Sequence, residues 1–216
     1  PVLPLRLAMP LSEAGLVELV YKGRVLLGIG QGVIFDYVEL FENAGLRVLF
    51  VPFPPGIESA ACYDPVSRNA FLFITDSEAV TSERKLFGLA RELGRIYSHT
   101  GGLETIPGRR KRLDAEHAAA KFAAFFLMPA EAVRQTVRKL GVAASGWTWN
   151  LLVRVKHRFG VSAETFLYRL GELDLIAPAL LTEMKDRLDH YYAKTNHGEP
   201  GASRRILTPN GRLGDL

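Results

Sequence analysis

Hydrophobic positions recur at helical spacing from Leu11 to Leu27 and, past a glycine-rich break at Gly28 to Gly32, from about Ile34 to Ala44. Gly45 ends that second helix, and the pattern then changes. Leu46 to Pro52 reads as a strand, and Ala60 to Tyr63 with Ala70 to Thr75 reads as a hairpin around Asp64-Pro65 and Ser67-Arg68-Asn69. Helical spacing then returns in six segments: 84–99, 114–128, 130–140, 147–158, 162–173 and 178–194. This order predicts an α+β fold in which a small antiparallel sheet packs on helices and a mostly helical, helix-turn-helix-like C-terminal region follows. The expected divisions are a helical lead-in over 1–33, a central domain over 34–140, the helix-turn-helix-like region over 141–196 and an extended or disordered tail over 197–216. In the third of these, Phe159-Gly160-Val161 forms the turn, Ser162 caps the following helix, and Phe166, Leu167 and Leu170 belong to the core.

The helix from Arg84 to His99 carries two distinct faces. At about 100° per residue, Leu86, Leu89, Ala90, Leu93, Ile96 and Tyr97 form one apolar stripe. Gly88, Arg91, Glu92, Arg95 and His99 gather on the opposite arc. Gly88 lets a neighbouring group come close, at a cost of about 1 kcal/mol against Ala inside a helix. Arg91-Glu92-x-x-Arg95 has the spacing of H-E-x-x-H, in which two His one turn apart hold zinc and the Glu is general base. Guanidinium has donors only and no lone pair, so neither Arg ligates a cation at physiological pH. A second helix, from Asp114 to Met128, sets Glu116 beside Ala119, Ala120, Ala123 and Leu127, a face of small residues suited to close helix packing. A carboxylate buried there requires a partner.

The runs ERKLFGLARELGRIYSH, AAKFAAFFLMP and FGVSAETFLYRLGELDLI resemble the ImmA/IrrE family of zinc metallopeptidase-like proteins, over roughly Ile34 to Ile176. The resemblance implies zincin-like helices over residues 34–140, beside a sheet whose edge strand takes an extended peptide. It implies zinc and peptide hydrolysis, with Glu92 as the catalytic base, Glu116 as third ligand and His99 as a His often found beyond the zinc pair. It also implies a place in bacterial transcription or stress regulation, among proteins that carry helix-turn-helix domains or act on repressors. Arg91 and Arg95 stand where that family has its zinc His residues and depart from them. The favoured reading is therefore a catalytically degenerate domain, with no metal or other cofactor, that senses a small anionic ligand or binds a protein partner. Glu116 is then expected in a buried salt bridge with Arg91 or Arg95 where the metal would be, beside a cleft open to an anion or a peptide. The alternative is an active endopeptidase cleaving a repressor, with zinc held by His99, His117 and Glu116 and with Glu92 as base.

Composition narrows the setting. With 216 residues, 48% hydrophobic and 23% charged, the chain can bury a sizeable core. No apolar run reaches the roughly 18 residues of a membrane span and no signal peptide precedes the core, so a cytoplasmic protein with no membrane partner is expected. A single cysteine, Cys62, rules out an internal disulfide and is expected as a small core residue of a strand. The net charge of +4 and the pI near 9.3 permit acidic partners or nucleic acid. A nucleic-acid module is a third reading, resting on charge, including Arg109 to Arg112 in the loop between the two site helices, and on the helix-turn-helix-like segment, whose only base-reading candidate is Arg169. DNA contact is otherwise expected through an N-terminal domain outside this sequence, because the chain opens at Pro1 without Met and has the look of a fragment. Gly28 to Gly32 is expected as a flexible connector.

Overall fold

The computed structural model describes residues 13–34, 36–64, 66–67, 69–100 and 109–202, the side chains of 98–100 and 109–115 excepted. Along them run α1 (Glu13–Leu26), α2 (Tyr37–Asn43), β1 (Leu46–Val51), β2 (Ser59–Asp64) and β3 (Asn69–Thr75). Then come α3 (Ser82–Thr100), α4 (Arg109–Leu127), α5 (Ala130–Leu140), α6 (Trp149–Phe159), α7 (Ala163–Glu172) and α8 (Pro178–Thr195). The fold is α+β, and no helix among the described residues is long and apolar enough to cross a membrane.

The sheet has the order β1-β3-β2 and is mixed, where the sequence suggested an antiparallel one. β2 and β3 form the expected antiparallel hairpin, while β1 runs parallel to β3. The cause is a double reversal of the chain. The proline-rich bend after β1 turns it back into β2, and the hairpin turns it again, so β3 points along β1 and slots between the other two. Ala70, Leu72 and Ile74 of β3 are buried on the face that meets α3, and Phe71 and Phe73 stack at 6.3 Å on the other. The register pairs Cys62 with Phe71, so Cys62 lies on the face away from α3 and is exposed, contrary to its expected place in the core.

α3 and α4 form the tightest helix pair. Gly94 makes it possible: a Cβ there would stand 3.1 Å from the Phe122 ring. Tyr97, Phe122 and Phe126 continue the contact as an aromatic ladder with ring centres 5.7 Å apart at each step. α1, which belongs to the expected lead-in, packs on α4 and contributes Leu16, Leu19 and Val20 to the same core. Further along, Thr148 and Ser162 cap α6 and α7, and Gly160 ends α6 in the left-handed conformation with φ 67°. Phe166, Leu167 and Leu170 are fully buried, and Phe166 stacks on Phe159 and meets Trp147 edge-on.

The segment Gly28 to Gly32 is clasped to the fold where a flexible connector was expected. Gly28, at φ 72°, ends α1 in a turn in which the Ile29 N–H donates to the Arg24 carbonyl at 3.0 Å. Arg24 is buried and donates through Nε to the Gly30 carbonyl at 2.6 Å, through Nη2 to the Gly32 carbonyl and through Nη1 to the Phe126 carbonyl. Burial works against its charge and lowers its pKa, while Tyr37 beside it acts in the opposite sense. Residues Arg109 to Arg112, expected in a loop, form the start of α4, and 101–108 lie outside the described residues. The tail also departs from expectation: Glu199 to Gly201 pack against α6 and the start of α7, while 203–216 lie outside the described residues.

Arg24→Met keeps the apolar stem but leaves three carbonyls without their donor. The expected loss is about 3 kcal/mol in urea unfolding, against less than about 0.5 kcal/mol for the same change at the exposed Lys22. Equal losses at the two positions would show that water serves those carbonyls as well.

A candidate functional site at the second half of helix α3

The apolar stripe of α3 is fully buried, and its opposite arc is turned partly toward β2 and partly toward α4. Gly88 brings β2 close, since a Cβ there would stand 3.3 Å from the Ser59 side chain and 3.1 Å from Ile74. This close approach sets the Ser59 hydroxyl against Glu92. Ser59 Oγ donates to Glu92 Oε1 at 2.7 Å and accepts from Arg91 Nη2 at 3.1 Å.

Arg95 is the hub of the cluster. Its Nη1 donates to Glu92 Oε1 and its Nη2 to Glu116 Oε2, both at 2.5 Å, so one guanidinium joins a carboxylate of its own helix to one on α4. The planar fork allows this, because its two terminal nitrogens diverge from a single carbon. Burial acts against the Arg95 charge, and the hydrogen bonds and charges of Glu116 and Glu92 outweigh it, so the pKa lies above its ordinary value. Arg91 does not reach Glu116 by any observed bond; its nearest carboxylate oxygen is Glu92 Oε1, at 3.8 Å.

The buried carboxylate is Glu92, which is 0% exposed, whereas the Glu116 side chain is 44% exposed. The expectation of a buried Glu116 is thus corrected. Ala119, Ala123 and Leu127 do bury their face of α4, but Glu116 lies one turn before them, where that face opens to solvent. His117 projects from α4 and is exposed, and the His99 side chain lies outside the described residues. Among the described residues no group of three His, Cys, Asp or Glu is placed to hold a metal ion. The Glu92 Oε2 atom and the Nε atoms of Arg91 and Arg95 have no hydrogen-bond partner among the described residues.

Beside the cluster lies a cleft of about 220 Å³. Its inner wall is formed by Ser59, Phe87, Gly88 and Arg91, and its outer wall by Ser162 and Thr165 at the start of α7. The ion pair of Arg84 with Glu58 closes one side. Arg91, 33% exposed, is the cation shared by the cluster and the cleft.

Other charged groups escaped the sequence reading. Lys156 is fully buried and meets Glu83 and Glu199, each at 2.9 Å. Its position was legible, because Leu152, Val155, Lys156 and Phe159 occupy one helical stripe and a lysine there demands an anion. Arg169, taken as a base-reading candidate, is also buried. It donates to the Met128 carbonyl at 3.1 Å and to Glu172 at 2.9 Å, and lies 4.3 Å from the centre of the Phe125 ring. The exposed positions of α7 are Glu164, Tyr168 and Glu172, none of them a cation, and the ammonium of Lys185 on α8 lies 4.3 Å from the centre of the Tyr168 ring.

A family model described as the IrrE N-terminal-like domain matches residues 41–171. In fold the chain is similar to a Mycobacterium tuberculosis transcriptional regulator, with a TM-score of 0.51 and 18% identity. The similarity covers 73% of this chain and 46% of that one, so this chain spans under half of the regulator's length. No curated protein matches the chain in sequence.

The two carboxylates around Arg95 are expected to respond differently to truncation. Arg95→Ala leaves Glu92 buried with only Ser59 and a more distant Arg91, and should cost about 3 kcal/mol. Glu116→Ala removes a half-exposed partner and should cost at most about 1 kcal/mol. Chemical denaturation of both variants reads the difference, and a larger loss at Glu116 would contradict this assignment of the buried charge.

Proposed function

Because the chain belongs to the IrrE N-terminal-like domain family, we propose that it is a catalytically degenerate metallopeptidase-like domain that works by binding, as part of a bacterial transcription or stress regulator. The observation that carries this reading is the Arg95 bridge between Glu92 and Glu116. In the zinc peptidases that this family resembles, the two residues corresponding to Arg91 and Arg95 are metal ligands, and the one at Glu92 is the base. A guanidinium has no lone pair for a metal, and this one takes up a carboxylate that a metal would need. Glu92 in turn has no exposed surface and one oxygen committed to Arg95 and Ser59, so it lies out of reach of a water poised over a substrate. At the positions of the family's metal ligands Arg91 and Arg95 do not fit zinc, and no hydrolytic step follows from the described residues.

What the arrangement does offer is a seat. The cleft combines an aromatic wall at Phe87, the hydroxyl pair of Ser162 and Thr165 and a part-exposed guanidinium at Arg91, a set suited to a carboxylate or phosphate group or to a segment of a protein partner. The fold likeness to a transcriptional regulator more than twice as long as the matched region supports a setting in which other domains supply DNA contact. The acidic and aromatic exposed face of α7 supports assigning that contact elsewhere than to the helix-turn-helix-like segment. A cytoplasmic location accords with such a role.

The test is metal content with and without restored ligands. Purified protein after dialysis should carry far less than one zinc per chain by elemental analysis, and stoichiometric zinc would overturn the reading. Arg91→His combined with Arg95→His should bind zinc at about one per chain through the two His and Glu116, and adding Glu116→Ala should weaken that binding by roughly 10-fold or more.

A further inference from the structure

The two walls of the cleft come from distant parts of the chain, and a third segment holds one of them. After α8, Asn196 and His197 adopt left-handed conformations, with φ 50° and 62°, and turn the chain back on itself. The Glu199 side chain then lies 6% exposed beneath the first turn of α7. Its Oε1 accepts from the Ala163 N–H at 2.8 Å and lies 2.9 Å from Lys156 Nζ, and its Oε2 accepts from the Tyr192 hydroxyl at 3.2 Å. Pro200 is buried, and Gly201 fits so tightly against α6 that a Cβ would come 2.7 Å from Val153 Cγ1.

These contacts reach the cleft by two routes. Ala163 is the first residue of α7, and its amide is among the helix-end donors that lack a partner within the helix. Ser162, the neighbouring cap, serves the Thr165 amide, so the first turn of α7 is held jointly by its own cap and by a carboxylate from the tail. Ser162 and Thr165 are the cleft's outer wall. Through Lys156 the same carboxylate is joined to Glu83, at the start of α3 and also on the cleft. Lys156 thus meets both carboxylates, and the positive end of α7 lies beside that of Glu199. If Glu199 withdraws, Lys156 keeps its contact with Glu83 at 2.9 Å, so the buried lysine retains a carboxylate while the wall loses its tie.

We propose that residues 196–202 are a latch that sets the α7 wall of the cleft, so that release of the tail loosens the cleft in this otherwise intact fold. Its purpose rests on the binding role proposed above, while its test does not. Hydrogen exchange of the full chain is compared between wild type, Glu199→Ala and Gly201→Val, the second of which unseats the segment by steric conflict and leaves every charge in place. In both variants exchange should rise about 10-fold at residues 163–166, with residues 119–127 of α4 unchanged. Acceleration confined to 196–202 overturns the proposal, because the segment would then be a passive covering. Equal acceleration throughout, α4 included, overturns it as well, because the segment would then be general support. Stoichiometric zinc in the dialysed protein would undo the binding-only reading and leave this result untouched, since neither metal nor ligand enters the measurement.

Discussion

A carboxylate with no exposed surface, on a helix whose other face is wholly apolar, imposes the condition that the rest of the site satisfies. Glu92 requires a cation and a donor in place there, because the cost of an isolated buried charge far exceeds what one packed side chain returns. Arg95 supplies the cation from one turn along α3, and Ser59 the donor from β2. Arg95 is also tied to Glu116 on α4, so a single guanidinium fixes the spacing of α3 against its main neighbour. Gly88 and Gly94 are what make such short distances attainable. Lying on different sides of the helix, each admits a neighbour that a methyl group would push away, Ser59 and Ile74 in one case and Phe122 in the other.

The parts of this arrangement that sequence reveals are those written into local spacing. α5 was expected at Ala130 to Leu140 and is found there, because Pro129 and Gly141 punctuate both ends and Gly141 takes up the left-handed conformation that a helix stop requires. The grouping of Arg91, Glu92 and Arg95 follows from the period of α3, and the pairing of Glu116 with one of these arginines is implied by the family resemblance. Which arginine reaches Glu116 follows from neither, because both occupy the same arc and only the depth of the helix pair separates them. Ser59 is invisible for a different reason. It lies 33 residues from Glu92, and nothing in the strand marks its contact except the absence of a side chain at Gly88. The parallel pairing of β1 with β3 is equally non-local, and so is the exposure of Cys62, which depends on its position opposite Phe71.

Arg24 and Lys156 were passed over, and Arg169 was given a base-reading role, for one shared reason. Each takes a place in an apolar stripe, where its charge reads as an interruption of the core and in fact belongs to it. Two of them act on the same element. Arg24 donates to the carbonyl of Phe126 and Arg169 to that of Met128, so the end of α4 receives a guanidinium from α1 and another from α7. Helix ends expose carbonyls with no partner and carry a partial negative charge, and a buried end must find donors or pay for their absence. Here they come from side chains far away in the chain. The aromatic rings of Phe125 and Phe126, close to those same cations, add a second attraction at the same place.

This makes α4 the strut on which the two ends of the molecule depend. Its first half presents Glu116 to Arg95, its middle packs through Phe122 against Gly94, and its last turn accepts hydrogen bonds from the lead-in helix and from the helix-turn-helix-like region. Arg169 is therefore consumed by packing. A segment with the shape of a DNA-reading motif has its one interior arginine directed inward, toward a helix end and an aromatic ring. The same physics explains why the segment can keep its shape without its usual use. A helix-turn-helix needs only Ser162, Gly160 and an apolar face to fold, and here the apolar face is taken up by the domain's own core, so the outer face is left to carry Glu164 and Tyr168, neither of which attracts a phosphate.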